Sequence, residues 1–171
     1  GEIYRKIGKP MKETLDWYEE AAKKGNKDAC AVLAEIYISG NRGRMEPDLL
    51  TGVNWLRKAA ELGQLRSMNK FGHYILKGKV KGVESEEGVT WVKKAAEKGY
   101  AIAQTNLGGW YINGELVDQN MTKAEKWLLK AARQSYPRAQ CYLGQFYREG
   151  RRTGKPNLTE SIKWYKLAAN Q

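Results

Sequence analysis

The sequence has very little of the side-chain chemistry on which most enzymes depend. Its 171 residues include one histidine, His73, and two cysteines, Cys30 and Cys141. Zinc sites and cysteine–histidine nucleophiles need several such side chains close together. We therefore expect no enzymatic activity, no catalytic residue, no metal site and no cofactor, and we interpret His73 as a surface residue.

Long apolar runs are also missing. The longest span a few residues, whereas a helix that crosses a bilayer needs about 20, so the sequence predicts no transmembrane segment. No signal peptide is visible at the N-terminus, although a leader could have been removed. With 42% hydrophobic and 29% charged residues, the composition is typical of a soluble globular protein.

Two short phrases, by contrast, recur along the whole chain. The first begins with a tryptophan and contains a pair of alanines, and its copies follow one another at steps of 36 to 38 residues. Its copies start at Trp17, Trp55, Trp91, Trp127 and Trp164. The second phrase lies between them and ends at Gly40, Gly78, Gly114 and Gly150. Apolar residues fall at helical spacing in both phrases, so each repeat is predicted to be a pair of helices.

The repeats predict the boundaries of the helices and of the larger units. Glycines follow the first phrase at Gly25, Gly63 and Gly99, where a left-handed residue would end the helix, and Ser135 stands at the fourth equivalent position. Helices are predicted near 11–24, 27–39, 48–62, 64–77, 85–98, 101–112, 120–134, 137–148 and 157–170. A half repeat, 1–25, and four repeats, 26–63, 64–99, 100–135 and 136–171, are expected to form a single domain, 1–171.

One helix pair cannot bury its own apolar face, but stacked pairs can. The sequence therefore predicts an all-α fold, a right-handed α-solenoid of helix-turn-helix repeats. The chain begins with an unpaired second helix and ends one residue before the next expected glycine. We expect it to be a piece of a longer array, the alternative being that its two ends are capping elements.

The combined pattern resembles the Sel1-like repeat, a relative of the tetratricopeptide repeat. It reads A-x-x-x-L-G-x-x-Y-x-x-G, then a variable loop and W-x-x-K-A-A-x-x-G, and it covers nearly the whole chain. Phe71 replaces the leucine and Ile75 the tyrosine in the second copy, and Leu167 stands at the lysine position in the last copy. The resemblance implies a non-catalytic scaffold or adaptor that binds other proteins. Many members are bacterial, and some neutralise secreted toxic effectors.

The resemblance also implies where a partner would bind, because the first helix of each tetratricopeptide-like pair lines a concave groove. The groove is expected to carry Glu35, Arg66, Asn69, Lys70, His73, Lys77, Thr105, Asn113, Arg138, Gln145 and Arg148. The basic cluster of Arg66, Lys70 and His73 would bind acidic side chains or a C-terminal carboxylate. The alternative is a solvated helix face in a basic protein.

Ile36 and three aromatic residues occupy equivalent positions in the four second phrases. The aromatic members are Tyr74, Trp110 and Phe146. Such a row is expected to pack repeat against repeat, but if it were exposed its aromatic members would anchor a partner.

The net charge of +11 favours an acidic partner. Basic residues also cluster in the loops that follow the second phrases, namely Arg42, Arg44, Lys77, Lys79, Lys81, Arg148, Arg151, Arg152 and Lys155. The alternative function is therefore binding of nucleic acid or another anionic surface. Because lysine and arginine are also scattered over the outward helix faces, a protein or peptide partner is preferred. The oligomeric state is left open.

The compartment is left open as well. Cys30 and Cys141 fall three repeats apart, a separation that a disulfide cannot bridge, so both are expected to be free thiols. Free thiols favour the reducing cytoplasm, while a periplasmic or secreted location stays possible if a leader was removed.

Overall fold

The computed structural model describes residues 11–43 and 46–170, with side chains described for 12–40 and 46–170. This part of the chain contains nine α-helices and no strand. They are α1 (Met11–Lys23), α2 (Lys27–Gly43), α3 (Leu49–Glu61), α4 (Leu65–Leu76), α5 (Ser85–Glu97), α6 (Ala101–Asn113), α7 (Met121–Ala132), α8 (Pro137–Arg148) and α9 (Leu158–Ala169).

The predicted helices are confirmed to within a few residues. The largest difference is α2, which was expected to end at residue 39 and runs to Gly43. Gly40, inside this helix, nevertheless has a left-handed backbone with φ of 62°.

The tryptophan-containing first phrase forms the second helix of each pair. Left-handed residues follow these helices, as the sequence predicts. Gly25, Gly63 and Gly99 have φ angles of 84°, 88° and 94°, and Ser135 has a φ of 58° at the fourth equivalent position. Ser135 is the one non-glycine residue with positive φ among the described residues. A side chain is disfavoured in this conformation, so Ser135 stores strain that the three glycines avoid.

The chain divides into two compact units, one ending at Trp91 and the other beginning at Val92. In the first unit, Tyr18, Ala22, Cys30, Leu33 and Ala59 belong to a buried cluster that joins α1, α2 and α3. Within this unit α1 packs on α2, α2 on α3 and α3 on α4.

The second unit is built in the same way. Leu128, Ala131, Ala132, Leu143 and Trp164 belong to a buried cluster that joins α7, α8 and α9. The alanine pair of the first phrase is buried in both units, as Ala59 and Ala60 and as Ala131 and Ala132.

Glycine makes the closest approach possible within a pair. A Cβ atom added to Gly108 in α6 would lie 2.7 Å from Cγ of Leu128 in α7. The neighbouring Gly109 has open space instead, with nothing within 4 Å of an added Cβ. Gly108 therefore sets the distance between α6 and α7, whereas Gly109 faces away from the core.

Lysine side chains cover the tryptophan rings of the first phrase. The Nζ atom of Lys58 lies 5.2 Å from the centroid of the Trp55 ring, and that of Lys130 lies 4.4 Å from the Trp127 ring. These pairs follow the W-x-x-K spacing of the repeat. In the last copy Leu167 replaces the lysine, and Lys163 lies over Trp164 instead. Such contacts contribute about 0.5–1 kcal/mol each at exposed sites.

Candidate protein-binding clefts

A cleft of about 300 Å³ opens in unit 1 between α2 and α4, each of which is the first helix of its pair. It is called the α2–α4 cleft below. Its walls are lined by Asp28, Ala31, Val32, Ala34, Glu35, Ile38, Ser39, Leu56, Gln64, Arg66, Ser67, Lys70 and Tyr74. The floor is mostly aliphatic and the rim is charged, which is the usual composition of a binding cleft.

The two walls of the α2–α4 cleft carry opposite charges. Asp28 and Glu35 lie on α2, and Arg66 and Lys70 lie on α4. None of these four side chains forms an ion pair within the described residues. All four are therefore available to a ligand that presents both signs of charge.

The predicted groove residues of unit 1 separate into three groups. Glu35, Arg66 and Lys70 line the α2–α4 cleft. Asn69 was expected on the groove surface but is 7% exposed, and this expectation is corrected. It lies one residue before Lys70 on α4, and its burial removes its side chain from the surface that a partner could contact.

His73 and Lys77 lie outside the α2–α4 cleft. Lys77 is the exposed C-cap residue of α4. His73 is half-buried, which corrects its interpretation as a plain surface residue. Burial, with the positive charge of Lys77 nearby, lowers the pKa of His73. The imidazole is therefore neutral at physiological pH and adds no charge to the basic cluster.

A smaller cleft of about 110 Å³ lies between the first helices of unit 2, α6 and α8. Asn113 and Gln145, two of the predicted groove residues, line it together with Tyr142, Glu149 and Arg151. Gln145 Nε2 donates to Glu149 Oε1 at 2.8 Å, and Arg151 pairs with the same carboxylate. The charges of this cleft are thus already satisfied within the protein.

The remaining predicted groove residues of unit 2, Thr105, Arg138 and Arg148, do not line this cleft between α6 and α8. Thr105 is 2% exposed and its hydroxyl donates to the carbonyl of Ala101, so its expected place on the groove surface is corrected. Arg138 is exposed, and its guanidinium lies over the ring of Tyr142 at 5.7 Å. Arg148 is exposed at the end of α8.

The row of equivalent aromatic positions is mainly a packing feature. Ile36, Trp110 and Phe146 are 4%, 8% and 2% exposed, which leaves little of their surface for a partner. Their possible role as anchors is therefore corrected for Trp110 and Phe146. Tyr74 is half-buried and lines the α2–α4 cleft, so it is the aromatic residue of this row best placed to contact a ligand.

A buried carboxylate in unit 2 escaped the sequence analysis. Glu125 on α7 is 8% exposed, and it accepts a hydrogen bond of 2.7 Å from Tyr147 Oη and pairs with Arg152 at 3.1 Å. Burial and the adjacent Glu125 carboxylate raise the pKa of Tyr147 well above the usual tyrosine range. Tyr37, at the equivalent position in unit 1, donates a similar hydrogen bond of 3.1 Å to Glu19. Both pairs join neighbouring helices and have a structural role.

The loop charges are only partly available. Arg151 and Arg152 pair with Glu149 and Glu125, while Lys79, Lys81 and Lys155 are exposed and make no ion pair with described residues. The side chains of Arg42 and Arg44 lie outside the described residues. In the last of these loops, Arg151 and Arg152 are therefore already paired within the protein.

The described ranges contain neither a candidate metal site nor a candidate membrane span. No group of three or more histidine, cysteine, aspartate or glutamate side chains there could hold a metal ion. No described helix combines the length and the apolar character that crossing a bilayer requires. Cys30 and Cys141 are both free thiols, as expected from their separation.

Comparison with known proteins identifies the repeats. The Sel1 repeat matches five consecutive segments, 11–26, 27–64, 66–100, 101–136 and 137–171. A Sel1 repeat protein from Oxalobacter formigenes is 30% identical with a TM-score of 0.80, over 93% of this chain and 64% of that one. A protective antigen with an SLR fold from uropathogenic Escherichia coli is 32% identical with a TM-score of 0.81, over 92% and 33%.

An immunity protein from Pseudomonas aeruginosa shares the fold at 22% identity and a TM-score of 0.55, over 91% of this chain and 72% of that one. The chain spans less than two thirds of the length of the proteins from Oxalobacter formigenes and Escherichia coli. Sel1 repeat proteins are generally protein-interaction scaffolds. The predicted all-α fold of Sel1-like repeats, a member of the α-solenoid class, is confirmed, and the chain belongs to the Sel1 repeat family.

Proposed function

We propose that this chain is a non-catalytic scaffold that binds a segment of a partner protein in the α2–α4 cleft. The observation that carries the proposal is the set of four unpaired charges on the two walls of one cleft. Asp28 and Glu35 face Arg66 and Lys70 across an aliphatic floor. The corresponding cleft of unit 2 has its charges satisfied internally, so the first unit offers the better site.

The four charges would contribute more to the orientation of the bound segment than to its affinity. Arg66 can donate two hydrogen bonds to a carboxylate of the partner, and Lys70 can add a third. Asp28 and Glu35 would accept from a basic side chain or from backbone N–H groups on the opposite side. Exposed ion pairs are individually weak, so most of the affinity would come from apolar contacts with Ile38, Val32 and the ring of Tyr74.

The family and the fold support a protein partner. Members of the family are generally interaction scaffolds, and the composition of the described residues offers no cluster of metal ligands for catalysis. One concrete form of the proposal is a neutralising partner of a bacterial effector, since the fold is shared with an immunity protein. The partner would then present acidic side chains to Arg66 and Lys70.

Charge reversal on one helix tests the proposal. We expect Arg66→Glu, and more strongly the double variant Arg66→Glu/Lys70→Glu, to weaken binding of a protein captured from bacterial lysate by about tenfold or more. Lys77→Glu is the matched control, because it makes the same change of charge on the same helix outside the cleft. Affinity is measured with the purified captured protein by isothermal titration calorimetry.

Equal affinities of Arg66→Glu and Lys77→Glu would contradict the proposal, because the net charge rather than the cleft would then govern binding. Circular dichroism at 222 nm confirms that each variant remains helical. The replaced side chains are exposed or half-buried, so folding should be preserved.

The alternative, binding of nucleic acid through the basic surface, rests on the net charge of +11 and the exposed lysines of the loops. A nuclease-treated arm of the same capture experiment separates the two functions. Recovery that survives nuclease supports a protein partner. Recovery of nucleic acid whose affinity falls steeply as salt rises would favour the alternative, because phosphate contacts release counterions.

A further inference from the structure

A second cleft, of about 410 Å³, lies on unit 1 between the N-terminal half of α3 and the loop that follows α4. It is called the outer cleft, and its lining residues are Leu49, Leu50, Val53, Asn54, Arg57, Lys79, Val80 and Lys81. The outer cleft shares no residue with the α2–α4 cleft. A ligand in one would therefore touch different side chains from a ligand in the other.

The floor and one rim of the outer cleft are aliphatic. Val53 and Val80 are 4% and 8% exposed and form the floor, while Leu49 and Leu50 remain 39% and 74% exposed at the rim. A single exposed leucine needs no explanation. Two adjacent ones beside a concave aliphatic floor form a continuous apolar surface that water covers poorly.

The repeats supply an internal comparison for Leu50. Counting from the tryptophan of each first phrase, the equivalent residues are Lys12, Glu86, Thr122 and Thr159, all polar. The fold of the repeat therefore does not require an apolar side chain at this position. The leucine is a particular property of the second copy.

The charged residues that line the outer cleft are all cationic. Arg57, Lys79 and Lys81 line it, no acidic residue does, and none of the three forms an ion pair within the described residues. Arg57 is held over the ring of Phe71 at 5.4 Å, which limits its movement. The carboxylate of Asp48, which precedes the cleft residue Leu49, is engaged as the N-cap of α3 by the backbone N–H of Thr51.

We propose that the outer cleft binds an acidic segment of a partner protein that inserts an aliphatic side chain. The inserted side chain packs against Leu49, Leu50 and Val53, and flanking carboxylates of the same segment bind Arg57, Lys79 and Lys81. The concave shape favours an inserted side chain over a flat lipid surface. An apolar anchor surrounded by complementary charges is the arrangement that gives a peptide both affinity and orientation.

Selection from a random dodecapeptide library displayed on phage tests this inference with the full chain. We expect enriched peptides that combine leucine, isoleucine, valine or methionine with neighbouring aspartate or glutamate and that bind the Leu50→Thr variant about tenfold more weakly. This variant should fold normally, because threonine occupies the equivalent position in two other repeats. The affinities are measured with synthetic labelled peptides by fluorescence anisotropy.

Leu158→Thr is the matched control, since it makes the same substitution at a leucine that is 60% exposed in unit 2. It should leave the affinity unchanged, whereas Lys79→Glu/Lys81→Glu should abolish the preference for acidic peptides. Arg66→Glu/Lys70→Glu should not affect these peptides, so failure of the α2–α4 cleft and failure of the outer cleft are distinguishable.

The inference would be overturned if no peptide is enriched, if enriched peptides lack the acidic and aliphatic character, or if Leu50→Thr and Leu158→Thr behave alike. A parallel arm uses vesicles of phosphatidylglycerol. Binding to these vesicles that depends on Leu50, in the absence of peptide binding, would assign the outer cleft to lipid and would also overturn the proposal.

Discussion

Ser135 is the one non-glycine residue among those described that has a left-handed backbone conformation. It adopts a φ of 58°, while glycine occupies the three equivalent positions. Ser135→Gly should raise the free energy of unfolding by about 0.5–1 kcal/mol, because the relief of left-handed strain exceeds the added entropy of the unfolded chain. Urea unfolding followed by circular dichroism measures the change.

The reciprocal substitution Gly99→Ser is the control for Ser135→Gly. An added Cβ at Gly99 meets nothing within 4 Å, so any loss of stability would come from the backbone alone. We expect a loss of about 1–2 kcal/mol. If Gly99→Ser were neutral, strain at these turns would be negligible and the interpretation of Ser135 would fail with it.

At the same scale, the sequence predicted some residues well and others poorly. The left-handed glycines were predictable, because the conformation depends on the residue itself and its place after a helix. The burial of Asn69 and Thr105 could not be predicted. Helical periodicity gives the direction of a side chain but does not say whether other parts of the protein cover it. Glu125 was missed because its partners Tyr147 and Arg152 lie more than twenty residues away.

Two adjacent glycines in α6 make opposite demands on the helix. Gly108→Ala should destabilise the protein by about 1–3 kcal/mol, because the new methyl group would overlap the side chain of Leu128. Gly109→Ala should stabilise it by about 1 kcal/mol, because alanine has the higher helix propensity and meets no atom there. The midpoints of urea unfolding of the two variants should therefore shift in opposite directions.

Shifts in the same direction would show that helix propensity, rather than the contact between α6 and α7, determines the effect of both glycines.

At the scale of the helices the sequence was most informative. The repeat fixed the position of each helix to within a few residues, because each helix begins and ends at residues that recur. The clefts were only partly predictable, since the side chains that line them come from helices separated by a full repeat.

The net charge of the whole molecule should make its stability depend on salt. With 30 basic and 19 acidic residues, repulsion is screened weakly at about 0.01 M salt and strongly at about 0.15 M. We expect the thermal midpoint to rise by about 2–4 °C between these concentrations, which corresponds to roughly 1 kcal/mol. Thermal unfolding followed by circular dichroism at both salt concentrations measures it.

The double variant Arg66→Glu/Lys70→Glu lowers the net charge by four and should show a smaller rise. A thermal midpoint that falls with added salt would instead mean that attractive pairs such as Glu20–Lys24 and Glu160–Lys163 outweigh the general repulsion.

The function could be predicted from the sequence only as far as the class of scaffold, because the repeat fixes the fold whereas the partner depends on the exposed side chains of single copies.

The contrast between the two thiols makes the chain easy to label at one place. Cys30 is fully buried, and burial raises the pKa of its thiol, so it should be inert towards maleimides. Cys141 is exposed on α8, the first helix of the last pair. A fluorophore or a biosensor linker attached there would report on unit 2 and leave both clefts of unit 1 unmodified, so partners could be titrated without engineering a cysteine-free background.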